Sequence, residues 1–446
     1  MSFPRYPKYK DSGVDWLGEV PEHWSVLPLK RIVANPITDG PHETPQFVGD
    51  GVPFVSAEAV SSGRIDFSKI RACISLEDNA RYSQKYSPKL HDIYMVKSGA
   101  TTGITAIVED RTDFNIWSPL AAIRCGEKAV PHFVLNFMRS RNFLEAITLN
   151  WSFGTQQNIG MGVIENLRCT IPPKREQFEI AAFLIQETAK IDALVAEQRR
   201  LMELLKEKRQ AVISHAVTKG LNPAAPMKPS GSEWLGNVPA HWRIAKLSQL
   251  TNRIGDGLHG TPEYVDESEF RFVNGNNLND GRVVFTDTTR CVSEIEYNRH
   301  RVGLDETTLL LSINGTVGNL ALFQGEMIML GKSAAYVNCN EFLRRDHLYW
   351  YLQSTPIRCY FDLAVTGTTI SNLSLEAIRQ LTVALPPSEE QSLIVAYLQA
   401  QAGRYGELVA ESQRAIDLLQ ERRTALISAA VTGQIDVRGL VQSEAA

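Results

Sequence analysis

Two pairs of polar, glycine-bearing loops carry the side chains of this sequence best suited to chemistry. Lys97-Ser98-Gly99-Ala100-Thr101-Thr102-Gly103 and Ser312-Ile313-Asn314-Gly315-Thr316-Val317-Gly318 offer hydroxyls, an ammonium, an amide and backbone N–H groups. Such groups hold phosphate oxygens. Gly154-Thr155-Gln156-Gln157-Asn158 and Gly367-Thr368-Thr369-Ile370-Ser371-Asn372 add hydroxyls and the amides that pair with adenine N6 and N7 in a major groove. Asn274, Asn276 and Asn277 supply further amides. Between Arg64 and Lys97, seven Lys and Arg residues stand against four acids. Nucleic-acid contact and plain solvated loop are both compatible with these residues. Asp39/His42 and Asp256/His259 sit in Asp-Gly-x-His turns that present polar side chains, but without the third partner of a catalytic triad.

The common catalytic patterns are missing. Gly325 to Ser333 resembles a nucleotide-binding P-loop, yet five residues separate its glycines, and Met327 to Leu330 would obstruct a backbone cradle. It reads as a turn into a strand at Ala334 to Val337. The two Pro-Pro pairs follow Ile171 and Leu385, not the Asn or Asp that an amino-methyltransferase uses, and no aromatic follows them. No Pro-Asp pair, HxxxH or HExxH occurs. His23 and His241 belong to a tryptophan-rich string that reads as a packed corner of the core.

The elements that would position these loops occur twice. W-L-G-x-V-P-x-H-W appears at Trp16–Trp24 and again at Trp234–Trp242, an offset of 218. The Asp-Gly-x-His turns, the glycine loops, the Gly-Thr loops, the Pro-Pro pairs and a terminal L-L-x-E-[KR]-R-x-A segment repeat in the same order, the offset drifting only to 214. Each half is therefore one copy of one module. The first part of each copy, roughly 11–170 and 229–384, has short β-branched and aromatic runs between turn residues, which predicts an irregular, mostly β globule. Helices are expected at Val130 to Met138 and Asp346 to Leu352.

After each Pro-Pro pair a long helix begins. No proline or glycine interrupts Arg175 to Val217, and only Gly403 and Gly406 interrupt Glu389 to Thr432. Such a helix would run about 65 Å. Leu184, Ile191, Gln198, Leu205 and Val212 recur every seven residues, with Leu194 and Leu201 as companions. Leu398, Tyr405, Ser412, Leu419 and Leu426 do the same, with Leu408 and Ala415. This predicts a coiled-coil seam with polar defects. Equal copies, each with its helix after its globule, imply a pseudo-two-fold, antiparallel pair with a globule at each end. Gly403 and Gly406 suggest a bend or local fraying.

Composition sets the outer limits. The chain has 446 residues, 43% hydrophobic and 22% charged, enough for two or three ordinary globular domains. No run of 18 apolar residues suggests a membrane span, and Met1 to Lys10 lacks the apolar stretch of a secretory signal. Six cysteines at least 20 residues apart suggest reduced cytosolic thiols rather than metal or redox motifs. The net charge of −4 means that any basic surface is local.

The W-L-G-x-V-P-x-H-W opening, the Gly-Thr loop before Ile/Leu-Pro-Pro, the following Glu176-Gln177 and Glu390-Gln391, and the shared helix end resemble the specificity subunit of a type I restriction–modification system. The likeness spans nearly the whole chain. It implies an α+β chain: target-recognition domains at 1–173 and 221–387, a first long helix at 174–220, and a second with the C-terminal tail at 388–446. Each domain would read one half of a split, asymmetric DNA sequence, and an antiparallel coiled coil would set the gap. The resemblance further implies no catalysis and no cofactor in this chain, with S-adenosylmethionine and ATP/Mg confined to partners. Those partners are double-stranded DNA, two methyltransferase subunits and endonuclease subunits, in the cytoplasm. A coiled-coil protein adaptor and a degenerate fused methyltransferase are the competing readings.

Overall fold

The computed structural model describes residues 3–61, 63–153, 157–366 and 371–440. It divides into two units, residues 1–198 with 414–446, and residues 199–413, so each long helix contributes one part to each unit.

In the first unit an antiparallel sheet runs in the order Thr38–Asp39, Leu120–Ile123, Ile93–Val96, Thr105–Ile107. A second sheet runs Asn115–Ile116, Val52–Val55, Cys73–Ile74, Phe47–Val48, its first pair parallel. Ile93–Val96 is buried along its whole length, as a continuous apolar run bounded by turns should be. Its Tyr94 and Val96 pack with Val55, Ile116 and Leu120 in one core. Helices Leu76–Ser83, Pro131–Met138 and Arg141–Asn150 complete the unit, the first and third capped by Ser75 and Ser140 hydroxyls.

The second unit repeats this layout strand for strand. Thr251–Asp256, Ala334–Cys339, Thr308–Ser312 and Leu320–Leu322 form one sheet; Tyr264–Val265, Cys291–Val292, Arg271–Val273 and Ile328–Leu330 form the other, with its last pair parallel. The expected helix at Asp346 to Leu352 is Arg345–Gln353, and the P-loop-like stretch ends in the expected strand, Ala334–Cys339. Both units are thus mixtures of helix and sheet.

The long helices are Lys174–Lys219 and Ser388–Val431. The second is continuous through Gly403 and Gly406, so neither frays it; a Cβ at either would meet open space. In the first unit Thr170 Oγ1 donates to the Val431 carbonyl at 2.6 Å and Arg423 pairs with Asp192 at 2.9 Å. In the second, Ile213 and Val217 share a core with Ile394 and Leu398.

The seven-residue stripe is the less exposed one, but its companions differ from expectation. Leu184, Ile191, Leu398, Tyr405, Ser412 and Leu426 are buried, and Gln198, Leu205, Val212 and Leu419 are half-buried. Leu194, Leu201 and Leu408, by contrast, are 51, 43 and 37% exposed. Thr188, Val195 and Met202, and Ala402, Val409 and Ile416, take the inner flank instead, while Ala415 is half-buried. Residues three and four positions on lie to either side of one stripe. The leucines fall at three, but the covered flank is at four.

Candidate nucleic-acid interface

In each unit the two glycine loops are stitched together by backbone hydrogen bonds at the same register. Gly99 N–H donates to the Gln157 carbonyl at 2.9 Å, and Ile159 N–H to the Lys97 carbonyl at 2.9 Å. In the second unit Gly315 donates to Ser371 at 3.0 Å and Leu373 to Ile313 at 2.8 Å. Ser98 and Asn158 form an antiparallel bridge, as do Asn314 and Asn372. The glycines are needed locally: Gly103 has φ +94°, and a Cβ there would lie 3.2 Å from Leu144. The result is a pair of crossed loops whose outer edge presents exposed Gln157 and Asn158 in one unit and exposed Ser371, Asn372 and Thr316 in the other. Ser98, Thr101, Thr102 and Asn314 are half-buried beside them. Thr155, Gln156, Thr368 and Thr369 lie outside the described residues.

Some expected donors are already committed. Lys97 Nζ is 2.9 Å from Asp39 Oδ2, with its side chain only 13% exposed. Asp39 also binds Lys85 at 2.6 Å and His42 at 3.0 Å. Burial pushes the Asp39 carboxyl up, but the hydrogen bonds and charges of Lys85 and Lys97 outweigh it and hold the group below the usual carboxylate range. Lys97 therefore anchors its loop instead of standing free for a phosphate. Among the described residues Asp256 pairs with His259 alone, at 2.8 Å, and the position of Lys97 is taken by buried Ile313.

Asn277 is committed to closing its own turn. It is 4% exposed, its amide donates to the Val284 carbonyl and Thr289 Oγ1 at 3.0 Å, and its oxygen accepts from Asn274 N–H. Asn274 is half-buried and its Oδ1 accepts from Ser333 at 2.9 Å, which leaves Asn276 as the exposed amide of that turn. Asparagine side chains close turns as readily as they face ligands, and here the turn takes two of three.

The tryptophan-rich string has a role that sequence reasoning missed. Its His and Trp grip the glutamate that opens each long helix. Glu176 Oε1 accepts from Tyr6 OH at 2.5 Å and from Trp24 Nε1 at 3.1 Å, while Oε2 meets His23 Nε2 at 2.9 Å. Glu390 Oε2 meets His241 Nε2 at 2.8 Å and Trp242 Nε1 at 3.1 Å. The adjoining glutamine does the rest. Gln177 accepts from Val130 N–H and donates to the Lys128 and Pro172 carbonyls; Gln391 accepts from Arg344 N–H and donates to Phe342 and Pro386. Each helix start is locked to its own globule. The repetition of His-Trp and Glu-Gln at matching offsets was the available signal. Burial and the neighbouring carboxylate push the Tyr6 phenol far above its usual range. Glu176→Ala would strand buried donors on Tyr6 and Trp24, so it is expected to cost about 2–4 kcal/mol in urea unfolding. Glu390→Ala, in a more exposed clamp without a tyrosine, should cost roughly half as much. Equal losses would contradict this account.

Among the described residues no group of three or more His, Cys, Asp or Glu side chains could hold a metal ion, and no helix is long and apolar enough to cross a membrane.

A family model described as the type I restriction modification DNA specificity domain matches this chain twice, over residues 41–201 and 262–403. A putative type I restriction enzyme MjaX specificity subunit from Methanocaldococcus jannaschii is 22% identical over 448 residues, covering 95% of this chain and 96% of its own. The EcoKI specificity subunit of Escherichia coli strain K12 is 22% identical over 411 residues, with 85% and 82% covered. Among solved structures, the HsdS subunit from Thermoanaerobacter tengcongensis gives a TM-score of 0.51 at 18% identity, covering 93% of this chain and 98% of that one. A chain from a study of complex assembly and conformational transition of the type I R-M system gives 0.63 at 18% identity, covering 95% and 99%.

Proposed function

Because the chain belongs to the type I restriction modification DNA specificity family, we propose that its two units read the two halves of a split, asymmetric DNA target through their crossed glycine loops. Chains of this family specify DNA sequence and are not themselves catalytic. The observation that carries the finer reading is the repetition of one loop crossing, at one register, in two units that share an exposed asparagine, Asn158 and Asn372, but differ beside it, Gln157 against Ser371. A shared scaffold with different donors and acceptors is what two readers of different half-sites require.

The long helices pair antiparallel as a coiled coil and set the unread gap. Asp192 with Arg423, and Ile213 and Val217 in one core with Ile394 and Leu398, support this direction, because the numbering rises on one helix as it falls on the other. The chain acts in the cytoplasm as a scaffold for two methyltransferase subunits, which bring S-adenosylmethionine, and for endonuclease subunits, which bring ATP and Mg. Those partners supply the remaining phosphate neutralisation that a chain of net charge −4 does not.

Single-molecule sequencing of adenine methylation in cells carrying the system tests this directly, since it returns the motif. Alanine at Gln157, Asn158, Ser371 or Asn372 is expected to cost about 1–3 kcal/mol of binding at one base pair and to relax that position of the motif. A methylation pattern unchanged in all four variants would remove the crossed loops as readers.

A further inference from the structure

Resting on the DNA-reading role proposed above, a cavity of about 450 Å³ in the first unit opens beside the anchor of the crossed loops. Its walls include Lys85, Lys89 and Arg124, with hydroxyls from Thr38, Ser83 and Ser87. Five of the seven cations between Arg64 and Lys97 are held by carboxylates: Lys69 by Asp66, Arg71 by Glu58, Arg81 by Asp78 and Glu43, and Lys85 and Lys97 by Asp39. Among the described residues Lys89 has no carboxylate partner, and its side chain is exposed. Arg124 is paired with buried Asp92 at 2.7 Å through both Nε and Nη2. Three cations line the cavity, Lys85, Lys89 and Arg124, and two carboxylates, Asp39 and Asp92, pair with the first and the last, so Lys89 leaves an excess that favours an anion.

We propose that this cavity is a phosphate subsite, holding one backbone phosphate of the DNA next to the half-site that the first unit reads. The strand register places the cavity a short way from the loop. Thr38 and Ala122 of the cavity lie level with Tyr94, three residues along the strand from Lys97, or about 10 Å. Successive phosphates of one strand are about 3.4 Å apart along the axis, so a phosphate held there is within about three nucleotide steps of whatever the loop touches.

Among the described residues the second unit lacks these charged groups at the matching positions. At the cross-strand position of Arg124 and Asp92 it carries Asn338 and Thr308, hydrogen-bonded at 3.2 Å, and at that of Lys97 it carries Ile313. The subsite therefore makes one end of the target more salt-sensitive than the other.

The test uses the full-length chain, or the complex purified through it, and a 40-base-pair duplex bearing the motif returned by methylation sequencing. Affinity is measured against salt. Lys89→Gln should lower the steepness of log K against log salt by up to about 0.9, the share of one phosphate, and Lys85→Gln with Lys89→Gln should lower it no further than that, with the methylation motif unchanged. Duplexes with single methylphosphonates should bind more weakly when the neutral linkage lies at one position within about three nucleotides of the first half-site, and unchanged with the linkage elsewhere. Inorganic phosphate at 10 mM distinguishes a free anion from DNA: if it occupies the cavity, seen as 31P line broadening lost in Lys89→Gln, while the DNA slope stays put, the assignment to backbone phosphate is overturned. An unchanged slope in both variants overturns the subsite outright. Wild-type binding no tighter to the motif duplex than to one with the motif scrambled would instead overturn the DNA-reading role beneath it.

Discussion

Exchanging residues 229–384 for the matching segment of another family member is expected to change one half of the methylated target and leave the other half as it was. The segment contains the second unit's two sheets and both of its crossed loops, while Gln157 and Asn158 remain in the first unit. The junctions fall at the clamp: His241 and Trp242 travel with the segment, and Glu390 stays behind. A donor that keeps the W-L-G-x-V-P-x-H-W string can therefore rebuild the grip on the second helix. The effect should be all or none for that half, because each mismatched base pair costs about 1–3 kcal/mol and several would change together. Methylation sequencing reads the outcome. If both half-sites changed, or neither did, independent reading by the two units would be untenable.

A four-residue insertion into each long helix, after Met202 and after Val409, is expected to widen the unread gap by one or two base pairs without altering either half-site. Four residues add about 6 Å and turn the helix about 40° beyond a full rotation. One base pair advances 3.4 Å, and about 10.5 complete a turn, so the rotation matches one added pair and the translation nearly two. In the proposed antiparallel pair, lengthening both helices would keep the seven-residue stripes facing each other on either side of the insertion, since both helices gain the same turn. Insertion into the first helix alone should give a weaker complex, because the seam beyond Leu205 then meets the wrong residues. A fixed gap in an active double-insertion variant would leave the helices with assembly as their only role.

The sequence by itself determined the repeat, the two long helices and the glycine loops. Each is written in local order: matching strings at offsets of 218 to 214, forty residues almost free of helix breakers, and glycines where φ is positive, as at Gly103 and Gly318. Local signals suffice there because helix and turn formation depend on near neighbours. What only the tertiary structure decided are the partners of polar groups and the flank of each helix that is covered. Lys97 and Asn277 have the right chemistry for ligands, but Asp39, 58 residues earlier, claims one, and Val284 and Thr289 claim the other. Leu194 and Leu201 fit a seven-residue pattern as well as Val195 and Met202 do. A single helix cannot say which side of its stripe another element will cover, because positions three and four residues on are equivalent until something packs against one of them. The clamp on Glu176 joins groups 152 to 170 residues apart, a hydrogen-bond choice that no spacing along the chain encodes.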